Sequence, residues 1–422
     1  MDNRYSFVSL FIDKGCPIYL SGASYSVLSE LKSFWKGLGF TLAEYKDCGE
    51  KSFLYFYKRR FFSRVSEFSG KVSEYIIVPG IDNPRWLILN SKKAIQNHGS
   101  IIKPTSLNAR TVWVIAKWLN SFGLFAFIFP HRMVVAGSFL ESFYSNENLT
   151  AAILYTGAPG KYQKFTFQYS DSKNKPVSFM KVSNTASGIK RIENEKKALI
   201  KLGDISFDRI ITPNLLSVLR KNEFYGLVQD NILSNEGVSV NLSKVDLKAI
   251  CEIHEKFNFK EVSLSEYFNE VGLYDQIKCL PEVKDYLSSA NNRKILLALS
   301  HGDYIPWNRF LSKDKIKLID WETFKYRPLF YDVCYFLLHK VVLVEKLKGQ
   351  SVITESISAI NELLCVFNCE KQSLENIDVK FYLLINFIEL YVHYKKNNHS
   401  ADQHLLKALE YILLDLIEYQ AI

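Results

Sequence analysis

Short runs of alternating hydrophobic and polar residues follow residue 150, and this alternation is typical of β-strands. The runs are residues 151–155, 162–169, 176–182 and 224–229. Between the last two, apolar residues recur every three or four positions over residues 188–202, which predicts an amphipathic helix. The pattern therefore predicts a small antiparallel sheet with one helix over residues 146–232.

Helical periodicity dominates from about residue 243 to the end of the chain. A hairpin is predicted within it over residues 309–319, where two apolar runs flank Ser312, Lys313 and Asp314. We therefore predict a larger helical lobe over residues 233–422. The fold class that follows is α+β, with a small β lobe before a helical lobe.

The first third of the chain has a mixed pattern that ends at the polar stretch 141–150. It predicts helices over residues 25–38 and 107–119 and short strands over residues 52–57 and 74–78. The apolar segment 111–137 contains Lys117, His131 and Arg132, so we expect a buried helix followed by a strand, with an interfacial membrane contact as the alternative. We predict an additional α/β domain over residues 1–145, of unknown role.

Basic residues are concentrated in that region. Residues 1–150 carry 18 Lys and Arg against 11 Asp and Glu, whereas the remaining residues carry 35 against 33. The densest cluster is Lys58, Arg59 and Arg60 with Arg64. Such a cluster fits a solvated face, or contact with an anionic membrane or glycan surface. The charge comes with no nucleic-acid-binding motif, so we expect no nucleic-acid partner.

The seven cysteines are scattered along the chain, and the N-terminal residues do not have the pattern of a secretory signal. No segment has the roughly 18 uninterrupted apolar residues of a membrane span. We therefore expect a cytoplasmic protein with reduced thiols, with peripheral membrane contact as the alternative.

The strongest chemical signal is the motif His-Gly-Asp-Tyr-Ile-Pro-Trp-Asn over residues 301–308, followed by Ile-Asp-Trp-Glu over residues 319–322. Phosphoryl transfer to a hydroxyl needs a carboxylate that orients the hydroxyl, and oxygen ligands for Mg²⁺. Asp303 suits the first role. Asn308 and Asp320 suit the second, because Mg²⁺ prefers carboxylate and amide oxygens.

This combination resembles the aminoglycoside phosphotransferase and choline kinase family, which has a protein-kinase-like bilobal fold. The resemblance covers roughly residues 150–400, with its specific motifs in 301–332. It implies ATP or another nucleoside triphosphate as donor and Mg²⁺ as cofactor. It also implies that His301 organises the catalytic loop and that Asp332 supports this loop from a helix start.

The resemblance implies further nucleotide-binding residues upstream. Lys181 matches the strand lysine that holds the phosphates, and Glu195 is its expected ion-pair partner, with Glu193 as the competing choice. The other expected cofactor-binding residues lie in a phosphate-covering turn and in the linker between lobes: Gly157, Gly160, Gln229 and Asn231.

The acceptor is predicted to be small. Protein kinases place Arg before the catalytic Asp and have a long segment ending in Ala-Pro-Glu. Here Gly302 stands in place of that Arg, only eleven residues separate Asp320 from Asp332, and Ala-Pro-Glu is absent. We therefore expect the hydroxyl of a small molecule or glycan, with a sugar-like acceptor favoured. The alternative is a nucleotide-binding pseudo-kinase that acts as a membrane-associated scaffold.

Acidic and aromatic residues on two helical segments are candidates for the acceptor site, although a solvated helix face is the other interpretation of the first group. The first group is Glu261, Glu266, Tyr267 and Glu270, and the second is Glu389, Tyr391, His393 and Tyr394.

Overall fold

A computed structural model of the chain describes residues 7, 10–11, 17–21, 41–43, 53–58, 72–91, 95, 107–122, 124–136, 149–157, 160–173, 175–233, 239–273, 277, 280–345, 349–369, 374, 377–397 and 403–418. The chain divides into two units. Unit 1 comprises residues 1–196 and 214–235, and unit 2 comprises residues 197–213 and 236–422.

The strands of the two units, in chain order, are β1 (Pro17–Ser21), β2 (Thr41–Ala43), β3 (Phe53–Lys58), β4 (Val72–Val78), β5 (Trp86–Leu89), β6 (His131–Ala136), β7 (Thr150–Tyr155), β8 (Phe165–Ser170), β9 (Pro176–Ser183), β10 (Ile210–Ile211), β11 (Leu215–Lys221), β12 (Phe224–Asp230), β13 (Lys260–Ser263), β14 (Lys294–Ser300), β15 (Arg309–Ser312), β16 (Lys315–Leu318) and β17 (Lys325–Pro328). The helices are α1 (Leu107–Ser121), α2 (Phe125–Ile128), α3 (Ala186–Gly203), α4 (Lys244–Lys256), α5 (Leu264–Val271), α6 (Pro281–Ser289), α7 (Tyr331–His339), α8 (Gly349–Cys369), α9 (Val379–Asn397) and α10 (Gln403–Glu418), and a π-helical turn (Lys340–Val344) follows α7.

Unit 1 is built on one sheet of eleven strands in the order β11-β12-β9-β8-β7-β5-β4-β6-β3-β1-β2. Neighbouring strands are antiparallel except that β1 runs parallel to β2 and β3. The predicted β lobe, β7 to β9 with β12, is only one end of this sheet, because β5 pairs with β7 at Trp86–Tyr155 and Ile88–Ile153. The prediction of a small β lobe is therefore wrong in size, and a separate N-terminal domain is not confirmed.

The two faces of this sheet bury different side chains because successive residues of a strand point to opposite faces. On β4, Tyr75 and Ile77 join one apolar cluster, which also contains Phe11, Phe167 and Val182. Ile76 and Val78 join the other cluster, where Trp113 and Ala116 of α1 cover the sheet. Residues from before and after position 145 thus share one core.

Helix α1 has apolar residues both on the side that packs on the sheet and on the outer side. Trp113 and Ala116 are buried against the sheet. Val114, Trp118 and Phe122 on the outside are 65%, 62% and 62% exposed. The prediction of a buried helix is therefore wrong for the outer side of α1. The helix packs on the sheet with one side only, and the opposite side is exposed. The predicted helix over residues 25–38 and the residues Arg59, Arg60 and Arg64 lie outside the described residues.

Unit 2 is mainly helical and contains two small sheets that the hydrophobic pattern did not predict in full. Strands β15 and β16 form the predicted hairpin, and β10 joins it in parallel. The second sheet has the order β13-β14-β17. Strand β14 ends at Ser300, so it delivers the chain directly to His301. Among the described helices, none is long and apolar enough to cross a membrane.

The continuity of the large sheet can be tested by truncation. A chain that begins at residue 146 would lose the β5 partner of β7 and the apolar residues of β4 and α1 that share its core. We expect this truncated chain to be insoluble or to unfold without cooperativity, as followed by circular dichroism on heating. A soluble truncated chain with the melting profile of the full chain would contradict the shared core.

Candidate active site

The loop that follows β14 is held by one buried carboxylate. Asp332, in the first turn of α7, accepts hydrogen bonds from the backbone N–H of His301 and of Gly302, both at 2.8 Å. The side chain is buried, and burial raises the pKa of its carboxyl to about 6 although both N–H groups and Arg327 act in the opposite direction. The family resemblance implied a supporting role for Asp332, and in the structure its carboxylate binds the backbone of this loop.

The ring of His301 joins the loop to the end of β16. The backbone N–H of Asp303 lies 3.2 Å from His301 Nδ1, and His301 Nε2 lies 3.1 Å from the carbonyl oxygen of Ile319. Because Nδ1 accepts, the hydrogen sits on Nε2 and is donated to Ile319. Trp321 contacts the same ring, with centroids 4.5 Å apart. A buried ring engaged at both nitrogens is suited to positioning rather than to proton transfer.

Asp303 is fixed by Asn308. Asn308 Nδ2 donates to the Asp303 carboxylate at 2.8 Å and to the Asp303 backbone carbonyl at 3.1 Å. The backbone of Asn308 is itself bound on both sides, by Ile305 and by Ile319, at 3.0 Å each. Both bonds to Asp303 use the amide nitrogen, so the carboxamide oxygen is the atom of Asn308 that is suited to a cation.

Steric crowding explains why glycine stands between His301 and Asp303. Gly302 has φ +82°, a conformation that L-residues rarely adopt, and a Cβ there would lie 2.6 Å from the carbonyl oxygen of Thr323. Thr323 also donates its hydroxyl hydrogen to the carbonyl of His301 at 3.2 Å. The segment after Asp320 therefore packs directly on the loop, and a side chain at position 302 would separate them.

Asp320 lies just after β16 in a left-handed conformation, with φ +70°. Its carboxylate and that of Glu322 have oxygens within 4.8 Å of one another, and Glu322 is buried. Together with Asn308, this donor set fits a hard divalent cation such as Mg²⁺. Sequence reasoning gave Glu322 no role, although its two-residue spacing from Asp320 was visible.

In unit 1, Lys181 on β9 donates to Glu195 on α3 at 2.5 Å, and both side chains are buried. The structure thus pairs Lys181 with Glu195, not with Glu193. An ion pair in a buried position holds the lysine in one extended rotamer. Its predicted contact with nucleotide phosphates stays a prediction.

The turn after β7 is held from two directions. Thr156 donates its hydroxyl to the carbonyl of Pro84 at 2.7 Å, and its N–H bonds to Arg85 at 3.0 Å. Gly157 has φ +72°, and a Cβ there would lie 2.2 Å from the carbonyl oxygen of Lys164. On the far side of the turn, Thr185 donates to the carbonyl of Lys161 at 2.7 Å. Pro84 and Arg85 thus hold the chain in place just before Gly157. Gly160 also has a positive φ, of +142°.

The linker residues have mainly internal partners. Gln229 is a buried residue of β12, paired with Phe179 and Leu215. The Asn231 side chain donates to the carbonyls of Pro176 and Leu233 and accepts from the N–H of Leu233. A contact of this side chain with a nucleotide base would require breaking those bonds, so its cofactor role would have to come from the backbone.

Aromatic residues lie beside the loop in unit 2, and of these only Tyr394 was an acceptor candidate from the sequence. His339 donates from Nδ1 to the carbonyl of Tyr335 at 2.8 Å, and the Tyr394 hydroxyl donates to His339 Nε2 at 2.9 Å. Burial lowers the pKa of His339 to about 4, so this ring is neutral. Burial raises the pKa of Tyr335, and the negative charge of Asp303 adds to that shift. Trp307 lies beside His339, with centroids 6.2 Å apart.

Most residues that the sequence suggested for the acceptor site form hydrogen bonds or ion pairs with other residues of the protein. Glu389 on α9 bonds Tyr267, Arg327 and Lys325. Burial would raise the pKa of Glu389, but the two cations hold it below its ordinary value. Glu266 accepts from Ser263 at the start of α5. Glu261 lies 3.5 Å from Lys294.

Two further candidates also have partners within α9 and α10. The hydroxyl of Tyr391 lies 3.5 Å from the carboxylate of Glu410, and the ring of His393 contacts that of Tyr394. Of the candidate residues, Tyr394 is the one that joins the aromatic group beside the loop.

Comparison with known proteins gives only distant similarity. No protein-family model matches the chain, and no curated protein sequence matches it significantly. Among solved structures, an amicoumacin kinase in complex with AMP-PNP, Ca²⁺ and Ami is similar at 12% identity and TM-score 0.42, over 66% of this chain and 91% of that one.

A spectinomycin phosphotransferase in complex with ADP and spectinomycin matches at 15% identity and TM-score 0.38, over 67% and 96% of the two chains. A glucosamine kinase matches at 11% identity and TM-score 0.37, over 60% and 79%. All three TM-scores lie below 0.5, so the similarity is partial.

The buried carboxyl of Asp332 predicts a pH-dependent stability. Its pKa rises from 3.8 to about 6 on folding. The folded chain therefore keeps a proton that the unfolded chain loses between about pH 4 and 6, and the stability that Asp332 contributes falls as pH rises through this window. Asp332→Asn removes this titration. The free energy of unfolding of the variant, relative to wild type, should rise by about 1–3 kcal/mol between pH 4 and 7.

Chemical denaturation at several pH values measures this difference, and Asp285→Asn on the exposed side of α6 is the matched control. The control should follow wild type at every pH. A difference between Asp332→Asn and wild type that stays constant from pH 4 to 7 would contradict the burial of an ionisable carboxyl there.

The packing of Gly302 predicts a specific sensitivity to a methyl group. Gly302→Ala places Cβ against the Thr323 carbonyl in a left-handed conformation. We expect a loss of about 1–3 kcal/mol in the free energy of unfolding. Gly203→Ala is the control, because a Cβ at the end of α3 meets nothing within 4 Å. Equal stability of the two variants would show that the loop accepts a side chain.

Proposed function

We propose that the protein is a phosphotransferase that uses Mg²⁺ and ATP, or another nucleoside triphosphate, to phosphorylate a hydroxyl group of a small molecule or glycan. The observation that carries the proposal is the environment of Asp303. Its carboxylate is fixed by Asn308 at 2.8 Å, on a loop whose preceding backbone is anchored to Asp332. A carboxylate held in one orientation is what hydroxyl activation requires.

Asp303 would orient the acceptor hydroxyl and accept its proton as the hydroxyl oxygen bonds to the terminal phosphorus of the nucleotide; the bond from that phosphorus to the bridging oxygen breaks, and the nucleoside diphosphate leaves. Asn308 keeps the carboxylate in one rotamer, so little reorganisation is needed on reaching the transition state. His301 would act through Asp303, because its Nδ1 binds the backbone N–H of that residue. We therefore assign His301 a positioning role.

Asn308, Asp320 and Glu322 would hold the metal ion. Each offers an oxygen ligand, and the carboxylate oxygens of Asp320 and Glu322 lie within 4.8 Å of one another. When bound, Mg²⁺ neutralises charge on the phosphates of the nucleotide. Lys181, held extended by Glu195, would bind phosphate oxygens of the nucleotide, and the backbone N–H groups of the turn at Gly157 would approach them.

A small acceptor is supported by the segment between Asp320 and Asp332. Residues 325–328 of this segment form β17 and pair with β14, and Thr323 packs on Gly302. Because these residues pair with β14 or pack on the loop, the segment does not form the long peptide-binding segment that protein kinases have at this place. The half-buried ring of Trp307 offers an apolar face with a polar edge, which favours a sugar-like acceptor.

Nucleotide binding and turnover test the proposal separately. Mg-ATP should raise the melting temperature of wild type, because a ligand that binds only the folded state stabilises it. Asp320→Ala should lose most of this shift. Asp303→Asn should keep the shift and lose turnover by roughly 10²–10⁴-fold, the usual contribution of a general base. Asp314→Asn, in the exposed turn of the β15–β16 hairpin, should behave as wild type.

The outcomes distinguish the two functional classes. If wild type binds Mg-ATP but shows neither phosphate transfer nor slow ATP hydrolysis, the protein would instead be a nucleotide-binding pseudo-kinase. The absence of both binding and hydrolysis in wild type would contradict the proposal as a whole.

A further inference from the structure

Helix α1 presents an exposed apolar surface that the proposed function does not use. Its outer face consists of Val114, Ile115, Trp118 and Phe122, which are between 46% and 65% exposed. Trp118 and Phe122 contact each other, with ring centroids 4.9 Å apart. An apolar surface of this kind on a described helix indicates an interaction site, because scattered single residues are ordinary whereas contiguous ones are not.

The helical positions explain how this face arises. Trp113, Ala116 and Asn120 recur at three- and four-residue spacing and are buried towards the sheet. The outer face lies on the opposite side of the helix, where residues four apart are neighbours. The polar residues among the exposed ones, Thr111 and Ser121, are small and uncharged. This face therefore offers few groups for the hydrogen bonds and ion pairs that specify a protein partner.

The charged residues of the helix itself have one sign. Within Leu107–Ser121, the charged residues are Arg110 and Lys117, and there is no acid. The first 150 residues of the chain carry a surplus of basic residues, 18 against 11. Trp at the surface and Lys beside an apolar stripe are typical of helices at the interface of a bilayer with anionic lipids.

We propose that the outer face of α1 docks on a bilayer containing anionic lipid, with Trp118 and Phe122 inserted at the headgroup level. At fifteen residues, α1 is too short to cross the hydrocarbon core, so the helix lies in the plane of the surface. Its other side remains packed on the sheet. The proposal does not depend on phosphotransfer, so the two can fail separately.

Vesicle sedimentation tests this with the full chain. Wild type should pellet with vesicles of phosphatidylcholine and phosphatidylglycerol at low salt, and less with phosphatidylcholine alone or at high salt. Trp118→Ser combined with Phe122→Ser should lower the partition coefficient at least tenfold. The matched control is Leu216→Ser with Val218→Ser, which removes two other exposed apolar side chains, from β11. It should leave the partition coefficient within twofold of wild type.

A second measurement keeps the test independent of how well the double variant folds. Brominated lipid should quench part of the tryptophan fluorescence of wild type, and Trp118→Phe should lose that quenched part while still pelleting. Failure of wild type to pellet at low salt would overturn the proposal. It would also be overturned if light scattering showed that wild type is a dimer and the double variant a monomer, since a second copy would then cover this face.

Discussion

The carboxylate of Asp332 is the contact on which the candidate site depends. It binds two successive N–H groups of the loop from the first turn of α7, at 2.8 Å each. The strand before the loop, β14, is paired on both sides by β13 and β17. One side chain thereby connects a sheet, a loop and a buried helix. This arrangement is costly, because burial opposes the ionised carboxylate, and such costs are commonly found at functional sites.

The second support of the loop comes from the residues that follow it. Asn308 binds Asp303 with its side chain and Ile319 with its backbone, so the hairpin β15–β16 and the loop move together. His301 reaches the same Ile319 from the other side. The carboxylates at 303 and 320 are thus carried by segments of unit 2 that these hydrogen bonds join. Precise placement of charged groups by a preformed frame is the main requirement of phosphoryl transfer.

Local patterns predicted much of this structure. The strands at 74–78 and 151–155, the helix at 188–202 and the hairpin at 309–319 are present within a few residues of the predicted bounds. The roles assigned to Asp303, Asn308 and Asp320 from their spacing stay predictions. Long-range pairing could not be predicted, because β5 and β7 pair although they lie far apart in sequence, and the local pattern of either strand does not specify its partner. For the same reason the sequence suggested a domain boundary in the middle of a sheet.

Packing partners were equally inaccessible to sequence reasoning. Nothing in the pattern around position 339 indicated that His339, Tyr335 and Tyr394 would meet, since they come from α7 and α9. The sequence showed only that Gly302 stands where protein kinases have Arg, whereas the structure adds a steric reason for glycine, the nearby carbonyl oxygen of Thr323. Glu322 gained its possible role only from its distance to Asp320.

Measuring phosphate transfer to an acceptor tests most directly whether the protein is a phosphotransferase that uses Asp303. Wild type would be incubated with Mg-ATP and a panel of sugars, amino alcohols and aminoglycosides, and followed by ³¹P nuclear magnetic resonance. With wild type, we expect the terminal phosphate signal of ATP to be lost and a phosphate-ester signal to appear with at least one acceptor. With Asp303→Asn, we expect neither change. Formation of the ester at an equal rate by Asp303→Asn would contradict the role given to this carboxylate.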